Sequence, residues 1–483
     1  MNLLSKMVIS PALLIAFHAF SADMTIKPPV SDKHNVVVPD QQVKLPTAAP
    51  LSDAELEKLP AAYWRENPSA LESVLSKYVV MGDAEGLKKY LPYYRDVPNR
   101  DPSLIEWGDA IIAARAGDFK TAIRLYRKIN SLLPNVTLVR FQLAMALYAD
   151  KQYVAAEHEL EKLRAEQLPE QYAQAVDHVL KMIHRQEQWD FYASATYSYD
   201  KNVNEAPPVG TKMVFPNGSS ITSQQEPRSA NGVEFDFSAD KRWNLRGNYF
   251  AALHLSTFGK LYWDEKTSND LSSRIGIGGG YSNAVTEIEL SPFFSHRWYV
   301  NRNDNNSNFD HYNTGYGLRL SGSQWLSTKF KYQGALEWTQ NRYRSDYRHL
   351  NGNDYLMSHT LMYLPAARYY WFGGIDYSIR DVESKTNSYD RWGARLGWGQ
   401  EWGKGFATRT TIGYGRKTFD DVDFFNIKQK NNEYSASVSL WNRNFYFGGI
   451  TPRLTWSYRK VDGNHPFYNY DKQNVVVEFS KTF

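Results

Sequence analysis

Apolar positions along this chain follow two periods, one in each part. From Ala61 to Gln186 they recur every three to four residues, the spacing that lines one stripe of a helix. From Trp189 onward they alternate with polar residues, the period of a strand with two unlike faces. The clearest cases lie late in the chain. Tyr434, Ala436, Val438 and Leu440 oppose Ser435, Ser437 and Ser439; Ile450, Leu454, Trp456 and Tyr458 oppose Thr451, Arg453, Thr455, Ser457 and Arg459. The last segment carries Val475, Val477, Phe479 and the terminal Phe483 on one face, as the closing strand of a barrel would. An apolar face against a hydroxyl and arginine face suits lipid on one side and water on the other.

Such segments fall near 189–200, 232–241, 247–259, 271–282, 285–300, 309–321, 326–341, 354–363, 369–380, 388–399, 405–416, 432–442, 448–461 and 472–483, about 14 in all. The stretch 354–363 alternates poorly. Connections alternate in length. Polar 201–231, 260–270, Asn301–Asn308, Asn341–Asn353, 381–387, 417–431 and 462–471 are long, whereas Lys241–Arg246, Ser282–Ala284, Gly322–Trp325, Leu364–Ala367 and Gln400–Lys404 are short. Outer-membrane barrels have long outer loops and tight periplasmic turns, and a soluble sandwich predicts no such alternation. Trp243, Trp325 and Trp402 fall in or beside the short turns, where an interfacial girdle belongs. The expectation is a two-domain α+β protein whose residues 189–483 form an antiparallel transmembrane β-barrel in the outer membrane of a Gram-negative cell.

Residues 61–188 read as a periplasmic helical solenoid with a repeat of 34 residues: Ala110, Phe119 and Ala122 return as Ala144, Tyr153 and Ala156, and Tyr126 as Leu160. Gly117-Asp118 marks the turn inside the first unit, and Pro134 and Pro169 end the units. This pattern looks like tetratricopeptide repeats, in which small Ala residues let paired helices approach and an aromatic fills the gap. Leu71 to Leu91, turning at Gly82-Asp83, reads as a degenerate third pair. Ahead of the solenoid, residues 23–60 are Pro-rich and read as a flexible linker, and residues 1–22 read as a cleavable export signal.

Composition sharpens the boundary near 189. Only 4 of the 30 glycines and 2 of the 14 tryptophans precede it. The chain has no cysteine, which excludes a lipidated N-terminal Cys, and its formal charge of +4 comes with no dense Lys/Arg stripe for nucleic acid. Nothing points to catalysis or a cofactor. His158, His178 and His184 lack ligand spacing, and Ser295-His296 and Ser358-His359 alternate across strands, which parts nucleophile from base. Gly276, Gly278, Gly279 and Gly280 sit inside a strand pattern and read as a bend or close backbone approach. Arg342, Arg344 and Arg348 would lie on a long outer loop, able to meet lipopolysaccharide phosphates. Arg453, Arg459, Ser435, Ser437 and Ser439 are the candidate lumen-lining residues, the arginines either lining a substrate path or pairing with acidic groups.

Several stretches resemble the surface lipoprotein assembly modulator (Slam) family of type XI secretion: Asp200-Lys201-Asn202-Val203-Asn204-Glu205-Ala206-Pro207, Trp398-Gly399-Gln400-Glu401-Trp402-Gly403, Ser439-Leu440-Trp441-Asn442-Arg443, Gly449-Ile450-Thr451-Pro452-Arg453-Leu454-Thr455 and Val477-Glu478-Phe479-Ser480-Lys481-Thr482-Phe483. The resemblance implies a translocator, not an enzyme, that delivers specific lipoproteins, or soluble haem- and iron-acquisition or host-interaction proteins, from periplasm to surface. It implies a client protein as partner, with a periplasmic chaperone and the barrel-assembly machinery as further candidates. An exopolysaccharide export porin is the alternative, although such proteins usually carry many more repeats. A diffusion porin with an accessory domain is a third reading.

Overall fold

A computed structural model describes residues 60–482 except 167, 169, 301–307, 367, 446, 448 and 449. The export segment, nearly all of the Pro-rich stretch and Phe483 lie outside the described residues. The helices come first: α1 (Ala61–Glu66), α2 (Pro68–Met81), α3 (Ala84–Arg95), α4 (Pro102–Arg115), α5 (Phe119–Leu132), α6 (Thr137–Ala149), α7 (Tyr153–Arg164) and α8 (Glu170–Gln186). They pack as the pairs α2–α3, α4–α5 and α6–α7, with α8 against α7.

Local chemistry sets the turns. Gly82 and Gly117 stop α2 and α4 in the left-handed region, at φ 66° and 82°, which costs glycine no Cβ clash. The next residue caps the following helix: Asp83 accepts from the Glu85 and Gly86 amides, and Asp118 from the Thr121 amide. Between helices, Ala110, Ala122, Ala144 and Ala156 are fully buried, with Phe119 and Tyr153 half-buried beside them. The first pair, α2–α3, substitutes bulk for alanine and fills its core with Leu71, Leu75, Leu87, Leu91, Tyr78 and Tyr90.

The second domain is a closed barrel of 14 antiparallel strands. Its strands are β1 (Asp190–Asp200), β4 (Ala230–Asn244), β5 (Tyr249–Tyr262), β6 (Asp270–Ser282), β7 (Thr286–Val300), β8 (Phe309–Trp325), β9 (Phe330–Tyr343), β10 (Gly352–Ala366), β11 (Tyr369–Val382), β12 (Tyr389–Glu401), β13 (Phe406–Val422), β14 (Lys428–Asn442), β15 (Thr451–Gly463) and β16 (Tyr470–Thr482). A small hairpin, β2 (Lys212–Val214) with β3 (Ser220–Thr222), sits in the first outer loop. Strands pair with their neighbours in order, and β16 closes on β1. That last ladder is short. It runs from Tyr192–Thr482 to Tyr197–Val477, whereas β1 pairs with β4 along its whole length, from Asp190–Asp240 to Asp200–Ala230.

Several outer loops are tighter than the polarity of the sequence suggests. The expected loop 417–431 shrinks to five residues, Asp423–Ile427, because β13 and β14 run on to Val422 and from Lys428. Likewise 260–270 becomes 263–269 and 462–471 becomes 464–469. Beyond the hydrocarbon a strand needs only its backbone ladder, so polar residues there do not signal a loop. Three of these turns are single 3₁₀ turns, Lys266–Ser268, Lys385–Asn387 and Pro466–Tyr468. In each, the next residue accepts a bond from the end of the preceding strand: Asn269 from the Tyr262 amide, Ser388 from Val382 and Asn469 from Gly463. The short turns also shift. Trp243 and Trp325 end strands rather than sit in turns, while Trp402 is in its turn, edge-on to Trp398. Arg342 belongs to β9 and not to a loop. The weak alternation at 354–363 arises because Leu356 shares the buried inner face with Asp354, Ser358 and Thr360.

Candidate functional site

Strand parity separates two surfaces. On β14, Tyr434, Val438 and Leu440 are exposed on the outside, with Leu454 and Trp456 of β15 beside them in register. Val475, Val477 and Phe479 of β16 continue that belt, opposite Trp456, Leu454 and Pro452. Ser435, Ser437 and Ser439 take the other parity, shared with Glu433, and the Ser439 hydroxyl lies 2.8 Å from that of Thr455.

The inner face is a lattice of paired charges. Arg391 bridges Asp376 at 2.5 Å and Glu433 at 2.8 Å, and Arg395 holds Asp376 at 3.1 Å while donating to Ser358 and Thr360. Glu337, nearly buried, receives two bonds from Arg274 and one from Arg319. His254 sits between Asp240 and Glu289, 2.7 Å from each. The two arginines singled out in the sequence belong to this lattice. Arg453 lies 3.9 Å from Glu478 and over the Trp441 ring, and Arg459 lies 3.6 Å from Glu205 on the first outer loop. The loop arginine Arg344 is likewise taken up by Asp310 and Asp346. Ser358 and His359 part company as alternation requires: Ser358 bonds Arg395, while His359 meets the Tyr332 hydroxyl. Close approach explains a glycine of β6, for a Cβ on Gly280 would lie 2.2 Å from the Ile288 carbonyl oxygen. Among the described residues no three His, Asp or Glu side chains could hold a metal.

At the end where the chain enters the barrel, the helical domain is docked. The turn between α6 and α7 supplies Asp150 and Lys151. Lys151 donates to the Ser282 hydroxyl at 2.8 Å and to Glu287 at 3.2 Å; Asn248 donates to the Asp150 carbonyl at 2.5 Å. Arg242 joins Glu287 at 3.3 Å. Glu187, just after α8, accepts from the Asn244 amide at 2.9 Å, and its carbonyl accepts from Lys241. Tyr153 is pressed into this junction, and burial pushes its hydroxyl up to about 12.

Lys151 was invisible to periodicity, yet the repeat marks it. Where the first two pairs turn on Gly82-Asp83 and Gly117-Asp118, the third turns on Lys151-Gln152. Lys151 keeps the left-handed backbone, φ 59°, without glycine's freedom. A strained charged residue at a turn that glycine fills elsewhere is a mark of use.

Residues 189–483 match the family described as "Surface lipoprotein assembly modifier", and residues 58–160 match its "N-terminal TPR repeats". The chain belongs to the surface lipoprotein assembly modifier family. Relatives include "Surface lipoprotein assembly modifier 1" of Haemophilus influenzae, 38% identical over 441 residues covering 88% of this chain and 90% of the relative. The "Surface lipoprotein assembly modifier" of Pasteurella multocida is 35% identical, covering 83% and 80%. More distantly, "Hemophilin secretion modulator" of Acinetobacter baumannii is 23% identical, covering 86% of each. Family and closed barrel together place this family member in the outer membrane, its helical domain on the periplasmic side.

Proposed function

We propose that this chain is an outer-membrane translocator that carries specific lipoproteins, or related soluble proteins, from the periplasm to the cell surface. The observation that carries the reading is the family match running through both domains, together with relatives named for surface lipoprotein assembly. The distant relative named for secretion of hemophilin supports extending the client class to soluble proteins. Ser435, Ser437, Ser439, Arg453 and Arg459 belong, in this reading, to the wall that a client passes. A wall of mutually neutralised charges offers water and hydrogen bonds without holding any one sequence. The docked helical domain captures the client, alone or on a chaperone, and raises its effective concentration at the inner mouth. Client folding at the surface supplies the drive.

Deletion of this chain tests the reading. A partner lipoprotein should still be made and acylated but should vanish from the surface, as read by antibody on intact cells or by shaving with protease. Unchanged display of every candidate client would sink the proposal. Loss of exopolysaccharide with normal protein display would point to glycan export instead.

A further inference from the structure

At the opposite mouth the first outer loop, residues 201–229, does not stand away from the barrel. Its two ends are tied together, the Val203 amide donating to the Arg228 carbonyl and the Arg228 amide to the Asn204 side chain. From there it reaches across the mouth in both directions. Phe215 packs on Phe425 of the β13–β14 turn, and Phe425 packs on Phe467 of the β15–β16 turn. On the other side Arg228 holds Glu265 of the β5–β6 turn at 2.8 Å. Met213 and Ala206, both within the loop, are buried.

An acidic side chain ties the loop to the wall. Glu205 lies 3.6 Å from Arg459 of β15 and 3.6 Å from Lys472 of β16. It is 6% exposed and lines one cavity with Arg380, Lys417, Glu433, Arg459 and Tyr470, side chains from five different strands. Its carboxylate therefore points into the lumen. Its backbone is left-handed, φ 49°, in a tight turn that the Asn202 side chain clamps through both the amide and the carbonyl of Ala206. Glutamate pays for that conformation where glycine would not. Lys472 also reaches Asp200 at 3.1 Å, just past the point where the β1–β16 ladder stops at Tyr197–Val477. The same charges thus hold the loop down and close the outer half of the seam, where backbone pairing has ended.

We propose that residues 201–229 form an outer gate over the lumen and that Glu205 is its pin, whose release from Arg459 and Lys472 opens the exit for a client. This rests on the translocation reading. A client chain cannot leave beneath a strap tied to turns on both sides of the mouth, so the strap must lift.

The chain has no cysteine, so a single introduced thiol reports cleanly. Met213→Cys in the full-length protein, in intact cells, should react slowly with a membrane-impermeant maleimide. Adding Glu205→Lys, which sets an ammonium against two cations, should speed labelling by about tenfold or more, and the isosteric Glu205→Gln by less. In planar bilayers Glu205→Lys should show larger or more frequent openings than the parent. Heat-modifiable migration on gels identifies variants that have folded. If folded Glu205→Lys and Glu205→Gln both label at the parental rate and conduct as the parent does, the gate is wrong. Client display is scored in the same cells. Display that needs this chain, with labelling indifferent to Glu205, overturns the gate alone; labelling that answers to Glu205, with display independent of the chain, supports the gate and overturns translocation.

Discussion

Replacing Lys151 by glycine separates two effects that other substitutions would mix. The side chain holds the helical domain to the barrel, while its left-handed backbone strains the turn that carries it. Glycine relieves the strain, which is worth about 1 kcal/mol, so the helical domain should be no less stable and its melting no lower. Docking should weaken. Both partners of the Lys151–Glu287 pair are about a third exposed, 32% and 39%, so the ion pair is discounted to about 1 kcal/mol, and the bond to Ser282 brings the loss to about 2 kcal/mol. Glu287 keeps Arg242 and Ser282 and is not stranded. A loss of that size lowers the ratio of docked to undocked molecules by roughly 10- to 30-fold. Spin labels on Val154→Cys and Leu245→Cys, both exposed in the parent, would report it by dipolar distance measurement in detergent. The parent should give one narrow distribution and Lys151→Gly a broad one, and high salt should broaden the parent in the same direction. A Lys151→Gly distribution as narrow as the parent's would refute the claim that this contact holds the domains together.

Four further outcomes are expected. Glu337→Ala leaves Arg274 and Arg319 facing each other on the inner wall and should cost about 2–3 kcal/mol after discounting for their exposure, seen as a lower apparent melting point in detergent, with Glu337→Gln intermediate. On β14, Val438→Arg should cost about 2–4 kcal/mol of barrel stability and Ser437→Arg far less, a comparison that tests the lipid and lumen assignments directly by reversible unfolding into urea. Gly317→Ala would place a Cβ 2.2 Å from the Phe293 ring and 2.5 Å from the Trp338 carbonyl oxygen and should slow or prevent barrel assembly, at about 1–3 kcal/mol. Asp118→Ala removes the α5 cap and should cost the helical domain about 1 kcal/mol by circular dichroism melts. Its bonds from Thr121 hold the Asp118 carboxyl below the usual 3.8, so the cap's contribution is complete above that value and fades as pH falls through the lowered one; parent and variant melts should converge only in strong acid.

The barrel was legible because its chemistry is repetitive. Lipid demands an apolar residue at every second position, so Tyr434, Ala436, Val438 and Leu440 announce a strand without any tertiary knowledge. The repeat was legible for the same reason, since Ala110, Ala122, Ala144 and Ala156 each mark a helix crossing. Polarity misleads at the outer turns, where polar residues lie in continuing strands and tight turns instead of loose loops. Lys266-Thr267-Ser268-Asn269 and Lys385-Thr386-Asn387-Ser388 carried the correction in plain view: two similar tetrapeptides, each closing a 3₁₀ turn with a buried Asn or Ser. The partners of Arg453 and Arg459 were beyond periodicity. Glu205 lies more than 250 residues from Arg459, and only closure of the cylinder brings β1, and the loop that leaves it, beside β15 and β16. Lys151 and Glu205 share one trace in the structure, a left-handed backbone on a charged residue. In sequence the trace exists only for Lys151, because only there does an internal repeat show what an ordinary turn would hold.

The shortness of the β1–β16 ladder also decides how this cylinder comes apart. Heat should part those two strands first, leaving a twisted open sheet with β1 along one border and β16 along the other. Those borders match each other and stay matched in every copy. Where the concentration of neighbouring open sheets exceeds the effective concentration of a sheet's own second border, two can join border to border instead of reclosing, so crowded damaged protein should accumulate as dimers and larger rings.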